Sequence, residues 1–477
     1  MDLPLQLDRT SVVPLHRQLT QQLRQAILDG RLPAGARLPS TRSLAAELGI
    51  SRNVALAAFD DLFADGYVVG QHGSGTYVAH DLPVLPRPAM PTPSGAPRWL
   101  RPTAPPALTF EPLRPGVIEF RLGKPAVQSV PPDVWRKIWA DIGSHPPPAD
   151  YGAPSGDPEL RAAIAGYLGR ARGVACGPDD IVVTSGAIQS LDLLARAILL
   201  PGDVAAFEEP GYPVSRHVLL GRGARILPVP VDDDGVQVDA LPSGSDAPYV
   251  VYVTPSHQYP LGGRLPIPRR MALLEWAAAN DALIVEDDYD SEFRFDAPPL
   301  PALAGLDTSG RVAYIGTFSK VLSPALRLGY LVAPPPLRER VVRLKHLTDF
   351  HTPWPVQRAL ASFIQGGHLE RHIRRMRREY AEKRAALRAT LAPVEPLARL
   401  IGLEAGLHAF LELREEIDAR DIARETLARN VAVSTLDGYY HAMSPRNGIL
   451  LGYGGLELAE IVSGAAVLVD VIQRKAR

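Results

Sequence analysis

Lys320 ends the segment Tyr314-Ile-Gly-Thr-Phe-Ser-Lys320, whose apolar residues predict a buried strand, in a chain of 477 residues with only six lysines. A lysine placed after a buried strand can form a Schiff base with the aldehyde of a cofactor. Ser319 and Arg327 carry side chains suited to the phosphate of such a cofactor. Because most lysines after a strand are simply exposed to solvent, this interpretation requires further groups of the same site.

Asp287 and Tyr289, in the acidic segment Val285-Glu-Asp-Asp-Tyr289, lie 33 and 31 residues before Lys320. An aspartate at the end of a buried strand can keep a pyridine nitrogen protonated, which makes the ring an electron sink. Tyr289 could donate a hydrogen bond to the phenolic oxygen of that ring. A solvated loop or a metal cluster is the alternative for an acidic run, but the later lysine fits a pyridoxal site better.

Two further segments contain groups that such a cofactor needs. Thr184-Ser-Gly-Ala-Ile-Gln-Ser190 follows a predicted strand and opens a helix, so its backbone N–H groups can cradle a phosphate. Glu209-Pro-Gly-Tyr212 offers an aromatic ring that could stack on the pyridine face.

The elements that position these groups alternate between short apolar strands and helical stretches. The clearest strands are Asp180–Thr184, Tyr249–Val253 and Ala282–Glu286. This alternation is typical of an α/β domain with a mostly parallel sheet.

A composition change divides the chain. Eleven prolines occur between Pro83 and Pro115, where hydrophobic periodicity is weak. Such a segment prefers extended conformations and is long for a surface loop. We therefore expect an N-terminal domain over residues 1–80, a proline-rich linker over 81–117 and a large domain over 118–477.

The N-terminal block has the pattern of a winged helix-turn-helix. Apolar spacing predicts a first helix from Pro14 to Leu28, and Ser40 and Ser51 can cap a second and a third helix. The third helix is predicted to bury Val54, Ala58, Phe59, Leu62 and Phe63. A glycine-rich turn between Tyr67 and Val78 predicts the hairpin that forms the wing.

The polar residues of this block suit contacts with DNA phosphates, which need donors at helix N-termini and close backbone approach. Residues 1–80 contain seven arginines, no lysine and seven acidic residues, so any positive surface must come from clustering. The predicted DNA contacts are Arg42, Ser51, Arg52 and Asn53, together with His72 and Gly73 of the wing.

The segment Leu38-Pro-Ser-Thr-Arg42 with Ser51-Arg52 and Gly73-Ser-Gly-Thr-Tyr-Val78 resembles the winged helices of the GntR family. That resemblance implies DNA contacts by Arg42, Arg52, His72 and Gly73. Val54 stands where relatives often have threonine, which implies the loss of one hydroxyl contact.

The order and spacing of the remaining motifs resemble the fold type I, aspartate aminotransferase-like enzymes over roughly residues 118–474. The resemblance implies pyridoxal phosphate as cofactor, Lys320 as its Schiff-base lysine and Asp287 as the partner of its ring nitrogen. It also implies a homodimer, because such enzymes place their sites at a dimer interface. The further contacts that it implies are Tyr289 with the phenolic oxygen, Tyr212 with the ring face, and Ala187, Ile188, Ser319 and Arg327 with the phosphate.

A winged helix joined through a long linker to such a domain is the organisation of the MocR/GabR regulators. The segments Thr254-Pro-Ser-His-Gln-Tyr-Pro260 and Glu286-Asp-Asp-Tyr-Asp-Ser-Glu-Phe293 are typical of that group, and the chain is identified as a member. Membership implies a dimeric regulator that binds promoter DNA, senses pyridoxal phosphate or an amino compound, and controls genes of vitamin B6 or of amino-acid and amine metabolism. A working aminotransferase with an accessory DNA-binding domain is the alternative.

Two features of this resemblance leave alternatives open. The usual asparagine of the enzymes is replaced here, and His257, Gln258 and Tyr259 are the candidates for its place. The arginine that normally binds a substrate carboxylate corresponds to Leu450, which favours PdxR-like members that respond to pyridoxal phosphate itself. Arg121 or Arg216 could supply the missing cation.

The bulk composition limits other functions. The formal net charge is −1 and there is one cysteine, Cys176, so internal disulfides are excluded and a cytoplasmic location is expected. No apolar run is long enough to span a membrane. The basic run from Arg371 to Arg378 is interpreted as a solvated or dimer-lining helix, with phosphate contact as the alternative.

Overall fold

The computed structural model describes residues 5–71, 74–82, 114–295, 300–442 and 446–476. The chain forms two compact units, Met1–Pro102 and Thr103–Arg477. Most of the predicted linker, and the predicted DNA contacts His72 and Gly73, lie outside the described residues. Among those that are described, no helix is long and apolar enough to cross a membrane.

The N-terminal unit is a winged helix-turn-helix. Its elements are α1 (Leu15–Leu28), α2 (Thr41–Leu48), α3 (Arg52–Ala64), β1 (Val68–Gln71) and β2 (Gly75–Val78). The two strands pair antiparallel, with Val68 opposite Val78. Leu19, Leu23, Phe59 and Leu62 are buried where the helices meet. The hydrophobic core thus holds the second and third helices in a fixed arrangement.

One part of the predicted α3 face is wrong. Ala58, Phe59 and Leu62 are buried as predicted, and so is Ala55, whereas Val54 is half-buried and Phe63 is 40% exposed. The Phe63 ring faces Gly70 of the wing strand rather than the core, since a side chain at Gly70 would lie 3.6 Å from it.

The larger unit begins with a short strand and three helices: β3 (Ile118–Glu119), α4 (Pro132–Gly143), α5 (Pro158–Arg172) and, after β4 (Ile181–Thr184), α6 (Ala187–Ile198). The chain then alternates between strands and helices as the sequence predicts. These elements are β5 (Val204–Glu209), α7 (Pro213–Gly221), β6 (Arg225–Asp232), β7 (Gly235–Val236), β8 (Val250–Val253), α8 (Ile267–Ala279), β9 (Leu283–Asp288), α9 (Leu303–Leu306), β10 (Val312–Thr317) and β11 (Gly329–Val332).

Eight of these strands form one sheet in the order β4-β11-β10-β9-β8-β5-β6-β7. The central pairs from β10 through β6 are parallel, and β11 and β7 pair antiparallel. Strands β4, β8 and β10 are buried along their whole length, which explains their continuous apolar sequences. The carboxyl ends of β5, β8, β9 and β10 therefore meet at one edge of the sheet, where ligands bind in such folds.

The rest of the unit comprises α10 (Pro335–Asp349), α11 (Trp354–Gln365), α12 (His368–Leu391), β12 (Ala398–Ile401), β13 (His408–Leu413), α13 (Ala419–Ala428), β14 (Val431–Ala432), β15 (Ser434–Thr435), β16 (Gly448–Gly452) and α14 (Leu458–Lys475). A second, antiparallel sheet has the order β12-β13-β16-β15, and β14 pairs with β3. The helices α12 and α14 contact each other, and their apolar residues join one core with those of the second sheet.

Candidate functional site

All eight residues predicted to bind the cofactor line one cavity of about 560 Å³. The cavity lies at the carboxyl ends of the parallel strands, which bring together segments that are distant in sequence. Lys320 follows β10, and its Nζ donates a hydrogen bond to the carbonyl oxygen of Gly123 at 2.9 Å. Gly123 has φ +72°, and a Cβ there would lie 2.5 Å from that Nζ, so only glycine permits the contact.

The surroundings of Lys320 favour a reactive amine. Burial lowers the pKa of its ammonium group, although the carboxylates of Asp290 and Asp287 act in the opposite direction. A lowered pKa increases the fraction of neutral amine, which is the form that attacks an aldehyde.

Asp287 lies at the cavity end of β9 and is 6% exposed. Its Oδ2 accepts a hydrogen bond from the Tyr252 hydroxyl at 2.5 Å, and its Oδ1 is buried without a partner within the described residues. Burial raises the pKa of the carboxyl to about 6. An orphaned buried acceptor beside a lysine is the arrangement that a protonated pyridine nitrogen would satisfy.

Tyr289 is fixed by a cluster that sequence reasoning missed. Its hydroxyl donates to the carbonyl oxygen of His257 at 2.9 Å and lies 3.0 Å from His257 Nδ1. That Nδ1 is also 3.0 Å from Asp290 Oδ2. Tyr259 lines the cavity, whereas Gln258 Nε2 donates to the carbonyl oxygen of Pro210 at 2.8 Å. Of the three candidates for the asparagine position, Tyr259 therefore faces the cavity.

The opposite end of the cavity has donors for a phosphate. Ala187 and Ile188 form the first turn of α6 and line the cavity, as do Ser319 and Arg327. Arg327 Nη2 donates to the carbonyl oxygen of Ser185 at 2.7 Å. The helix begins at Gly186 with φ +106°, and a Cβ there would lie 3.0 Å from Arg327 Nη2. Glycine thus lets the arginine approach the helix N-terminus, where an anion is stabilised.

Tyr212 directly precedes α7 and lines the same cavity. Burial raises the pKa of its hydroxyl to about 12, so the ring is neutral at physiological pH. It meets Tyr259 edge-on, with ring centroids 5.1 Å apart. The two tyrosines form an aromatic wall suited to a planar ligand.

The three positions considered for a carboxylate-binding arginine differ in their surroundings. Leu450 is fully buried in β16 and packs in an apolar cluster, and it is not among the residues that line the cavity. Arg216 donates to the carbonyl oxygens of Tyr439 and Tyr440. Arg121 lines the cavity and forms an ion pair with Glu119 at 2.5 Å. Only Arg121 of these three faces the cavity.

The N-terminal unit presents a second candidate surface. Arg42, Ser51, Arg52 and Asn53 are exposed, and the latter three stand at the start of α3. The Ser51 hydroxyl caps α3 by accepting from Val54 N at 3.4 Å. Ser40 caps α2 by accepting from Ser43 N at 3.1 Å.

Between α2 and the wing lies a groove of about 500 Å³ that the sequence did not reveal. Arg37 lines it, and a side chain at Gly75 would lie 3.2 Å from its Nε. The Arg37 side chain is exposed.

Two family models match the chain. Residues 115–447 match the class I and II aminotransferases, and residues 15–78 match the bacterial regulatory proteins of the gntR family.

Full-length relatives share both regions. The chain is 38% identical to the probable rhizopine catabolism regulatory protein MocR of Rhizobium meliloti, over 95% of this chain and 92% of that protein. It is 36% identical to the pyridoxine biosynthesis transcriptional regulator PdxR of Corynebacterium glutamicum, over 95% of each chain.

Among solved structures, the α-aminoadipate aminotransferase LysN of Thermus thermophilus, complexed with N-(5'-phosphopyridoxyl)-L-leucine, superposes with a TM-score of 0.70. The two are 29% identical, and the match covers 76% of this chain and 93% of LysN.

Proposed function

Because the chain belongs to the MocR-type regulators of the GntR family, with a class I and II aminotransferase domain, we propose that it is a transcriptional regulator that binds pyridoxal phosphate. In this proposal it binds promoter DNA in the cytoplasm as a homodimer and responds to pyridoxal phosphate or an amino compound. The observation that carries the proposal is the co-occurrence of an exposed recognition helix and a cavity lined by the complete predicted cofactor set.

Each of the eight predicted residues has a specific role in this proposal. Lys320 supplies the amine for covalent attachment, Asp287 Oδ1 accepts a hydrogen bond from the protonated ring nitrogen, and Tyr289 contacts the phenolic oxygen. Ala187, Ile188, Ser319 and Arg327 hold the phosphate, and Tyr212 covers the ring face. When bound, pyridoxal phosphate supplies an electron sink and an aldehyde that exchanges between amines.

The start of α3 is the proposed DNA-reading element, as in other helix-turn-helix domains. Arg42, Arg52 and Asn53 are exposed donors there, and Ser51 stands at the positive end of the helix dipole. His72 and Gly73 remain proposed wing contacts.

An exposed aromatic pair supports the proposed homodimer. Tyr151 is 70% exposed and stacks on Phe350, with ring centroids 4.6 Å apart. Monomeric proteins rarely expose such rings together, whereas interfaces are enriched in them.

The surroundings of Arg121 bear on the effector. Its ion pair with Glu119 partly neutralises the only cation that faces the cavity among the three positions considered. We therefore favour pyridoxal phosphate itself, or an amine without an α-carboxylate, as the signal. An aminotransferase activity is the second candidate, because Arg121 would bind a substrate carboxylate if it exchanged Glu119 for it.

The test is a gel shift with DNA from upstream of the protein's own gene, titrated with pyridoxal phosphate at fixed salt concentration. A specific shift that responds to the cofactor supports the proposal. A specific shift without response supports a regulator with another effector, to be sought among amines and amino acids. Absence of any specific shift, there and on neighbouring promoters, together with measurable transamination would favour the enzyme.

Lys320→Ala is the matched variant, with the exposed Lys137→Ala as its control. The first variant should lose the borohydride-reducible adduct with pyridoxal phosphate and the second should keep it. Retention of the adduct by Lys320→Ala would refute the assignment of Lys320.

A further inference from the structure

A second cavity, of about 240 Å³, lies between α5, α12 and the segment that follows β9. It shares no lining residue with the cofactor cavity. Four arginines line it, against two glutamates. They are Arg172, Arg294, Arg374 and Arg377, with Glu292 and Glu370. Arg172 is buried and Arg294 is half-buried, whereas Arg374 and Arg377 are exposed to solvent. This excess of guanidinium groups indicates a site for an anion.

Arg172 is the buried anchor of this cavity, with 3% of its surface exposed. Its Nη2 lies 2.6 Å from Asp288 Oδ2 and donates to Ser256 Oγ at 2.8 Å. Its Nε and Nη1 are buried and have no hydrogen-bond partner within the described residues. Burying two guanidinium N–H donors without hydrogen-bond partners lowers the stability of the folded protein, and an anion in the cavity would accept hydrogen bonds from them.

Two of the other arginines, Arg294 and Arg374, also lack side-chain partners. No hydrogen bond or ion pair from the described part of the chain engages the side chain of Arg294 or Arg374. Burial, followed by repulsion from Arg172 and Arg377, lowers the pKa of Arg294 to about 10. Arg172 is paired with Asp288, whereas Arg294 and Arg374 have no ion-pair partner within the described residues.

Each glutamate accepts a hydrogen bond through its Oε1, and Glu370 Oε2 is buried without a partner within the described residues. Glu292 Oε1 accepts a hydrogen bond from the Tyr167 hydroxyl at 2.7 Å, and Glu370 Oε1 accepts one from Arg170 at 3.1 Å. Arg377 Nε donates to the backbone carbonyl oxygen of Glu292 at 2.6 Å rather than to its carboxylate. Nε and Nη1 of Arg172 and the guanidinium groups of Arg294 and Arg374 therefore remain available to a ligand.

We propose that this cavity binds a small oxyanion, either a phosphate ester or a dicarboxylate, through Arg172, Arg294 and Arg374. Planar guanidinium groups bind both ligands through paired N–H donors. The site is connected to the cofactor cavity through one ion pair, because the Asp288 that Arg172 holds directly follows Asp287 on β9. An anion that draws Arg172 towards the cavity would weaken its hold on the end of β9. The anion site is therefore a candidate for a regulatory input separate from the cofactor.

The proposal is tested by calorimetric titration of sodium sulfate into the full-length protein loaded with pyridoxal phosphate. The bound cofactor occupies the phosphate-binding end of the main cavity, so the measured heat reports on other sites. We expect saturable binding that weakens at least tenfold in the double variant Arg294→Gln/Arg374→Gln. The control Arg378→Gln removes an exposed charge from the same helix outside the cavity and should bind as the wild type does.

Malonate in place of sulfate distinguishes the two ligand classes. Tighter sulfate binding identifies a phosphate-type ligand, and tighter malonate binding identifies a dicarboxylate. Absence of saturable binding by both, or equal binding by the double variant and the wild type, would overturn the proposal. The yellow absorbance of the cofactor and the melting temperature show whether each variant is folded.

The pH dependence supplies an independent check. Burial raises the pKa of Glu292 to about 7, and sulfate stays a dianion from pH 6 to 8. The charged or titratable groups that face this carboxyl are Tyr167 and Arg172 of α5, Asp288 of β9, Tyr330 of β11, the nearby Arg294, and Glu370, Arg374 and Arg377 of α12. Protonated Glu292 repels the anion less, so binding should be several-fold tighter at pH 6 than at pH 8. Glu292→Gln should abolish most of this difference, and an unchanged pH dependence would contradict the assignment.

Discussion

At the residue scale, Asp287 has the clearest single role, because one of its oxygens is bonded to Tyr252 and the other is left for a ligand. Asp287→Asn keeps the shape but removes the charge that stabilises a protonated ring nitrogen. A charge-assisted hydrogen bond contributes about 1.5–3 kcal/mol, so the Kd for pyridoxal phosphate should rise at least about tenfold. Fluorescence titration of the apo protein measures this, with the exposed Asp234→Asn as control. Equal affinity of Asp287→Asn and wild type would show that the carboxylate does not contact the cofactor.

Glu208 is a second buried carboxyl, at the end of β5, and its Oε2 accepts a hydrogen bond from Thr254 Oγ1 at 2.6 Å. Burial raises its pKa from 4.5 to about 7. A carboxyl whose pKa is higher in the folded state stabilises the fold while protonated, and this contribution is lost as the pH rises from about 4.5 through 7. For a shift of this size the loss is at most about 3 kcal/mol.

Glu208→Gln removes the titratable carboxyl, and the amide oxygen of the glutamine can still accept the hydrogen bond from Thr254 Oγ1. The difference in melting temperature of the larger unit between pH 5 and pH 8.5 should therefore become smaller. Differential scanning calorimetry measures it, and the exposed Glu275→Gln on α8 is the control. An unaltered pH dependence would mean that Glu208 is already ionised in the folded protein at pH 5.

The sequence predicted the residues of the cofactor cavity that lie in local motifs, and missed those that depend on distant contacts. Lys320 and Asp287 follow recognisable strands, so their neighbours indicate their surroundings. Tyr252 lies inside a uniformly apolar strand, where nothing marks its hydroxyl as a partner of Asp287. The contact of His257 with Asp290 spans 33 residues and depends on two strand ends meeting.

At the element scale, α3 combines a capped N-terminus with exposed donors, which is the geometry of a helix that reads DNA. The variant Arg52→Ala should weaken operator binding about tenfold. The magnitude of the slope of the logarithm of the binding constant against the logarithm of the salt concentration should fall by about one, because one phosphate contact is lost. Fluorescence anisotropy at several salt concentrations measures both quantities. Arg17→Ala, an exposed arginine on α1 of the same unit, is the matched control. If both variants behaved alike, the effect would be one of net charge rather than of contact.

Helix periodicity predicted the existence of α3 better than its buried face. Phe63 fits the apolar spacing, yet it covers Gly70 at the base of the wing and stays 40% exposed. The position of the β1–β2 hairpin determines how far Phe63 is buried, and the helical pattern of the sequence contains no information about that position. In contrast, the buried strands β4 and β8 were predicted within one residue at each end, because turn residues bound their apolar runs.

At the scale of the whole molecule, the proposed regulator requires its two units to act together across a segment with eleven prolines between Pro83 and Pro115. An extended segment of that length spans on the order of 100 Å at about 3.1 Å per residue. In a homodimer, such a reach would allow two winged helices to occupy half-sites that are far apart on DNA, so that the second contact is intramolecular. The linker length should therefore matter for paired half-sites and not for a single one.

Deletion of residues 91–106 would shorten that reach by about 50 Å. The deletion variant should lose at least tenfold in affinity for an operator with two half-sites, and bind a single half-site as the wild type does. Gel shifts with both DNA fragments at one salt concentration measure the ratio. Replacing the same residues with an equally long glycine-serine segment separates length from stiffness, since a flexible chain of that length has a shorter mean reach. Equal loss on both DNA fragments would instead indicate that the deletion damages the winged helix, and no loss on either would show that the two half-sites are bound by separate dimers.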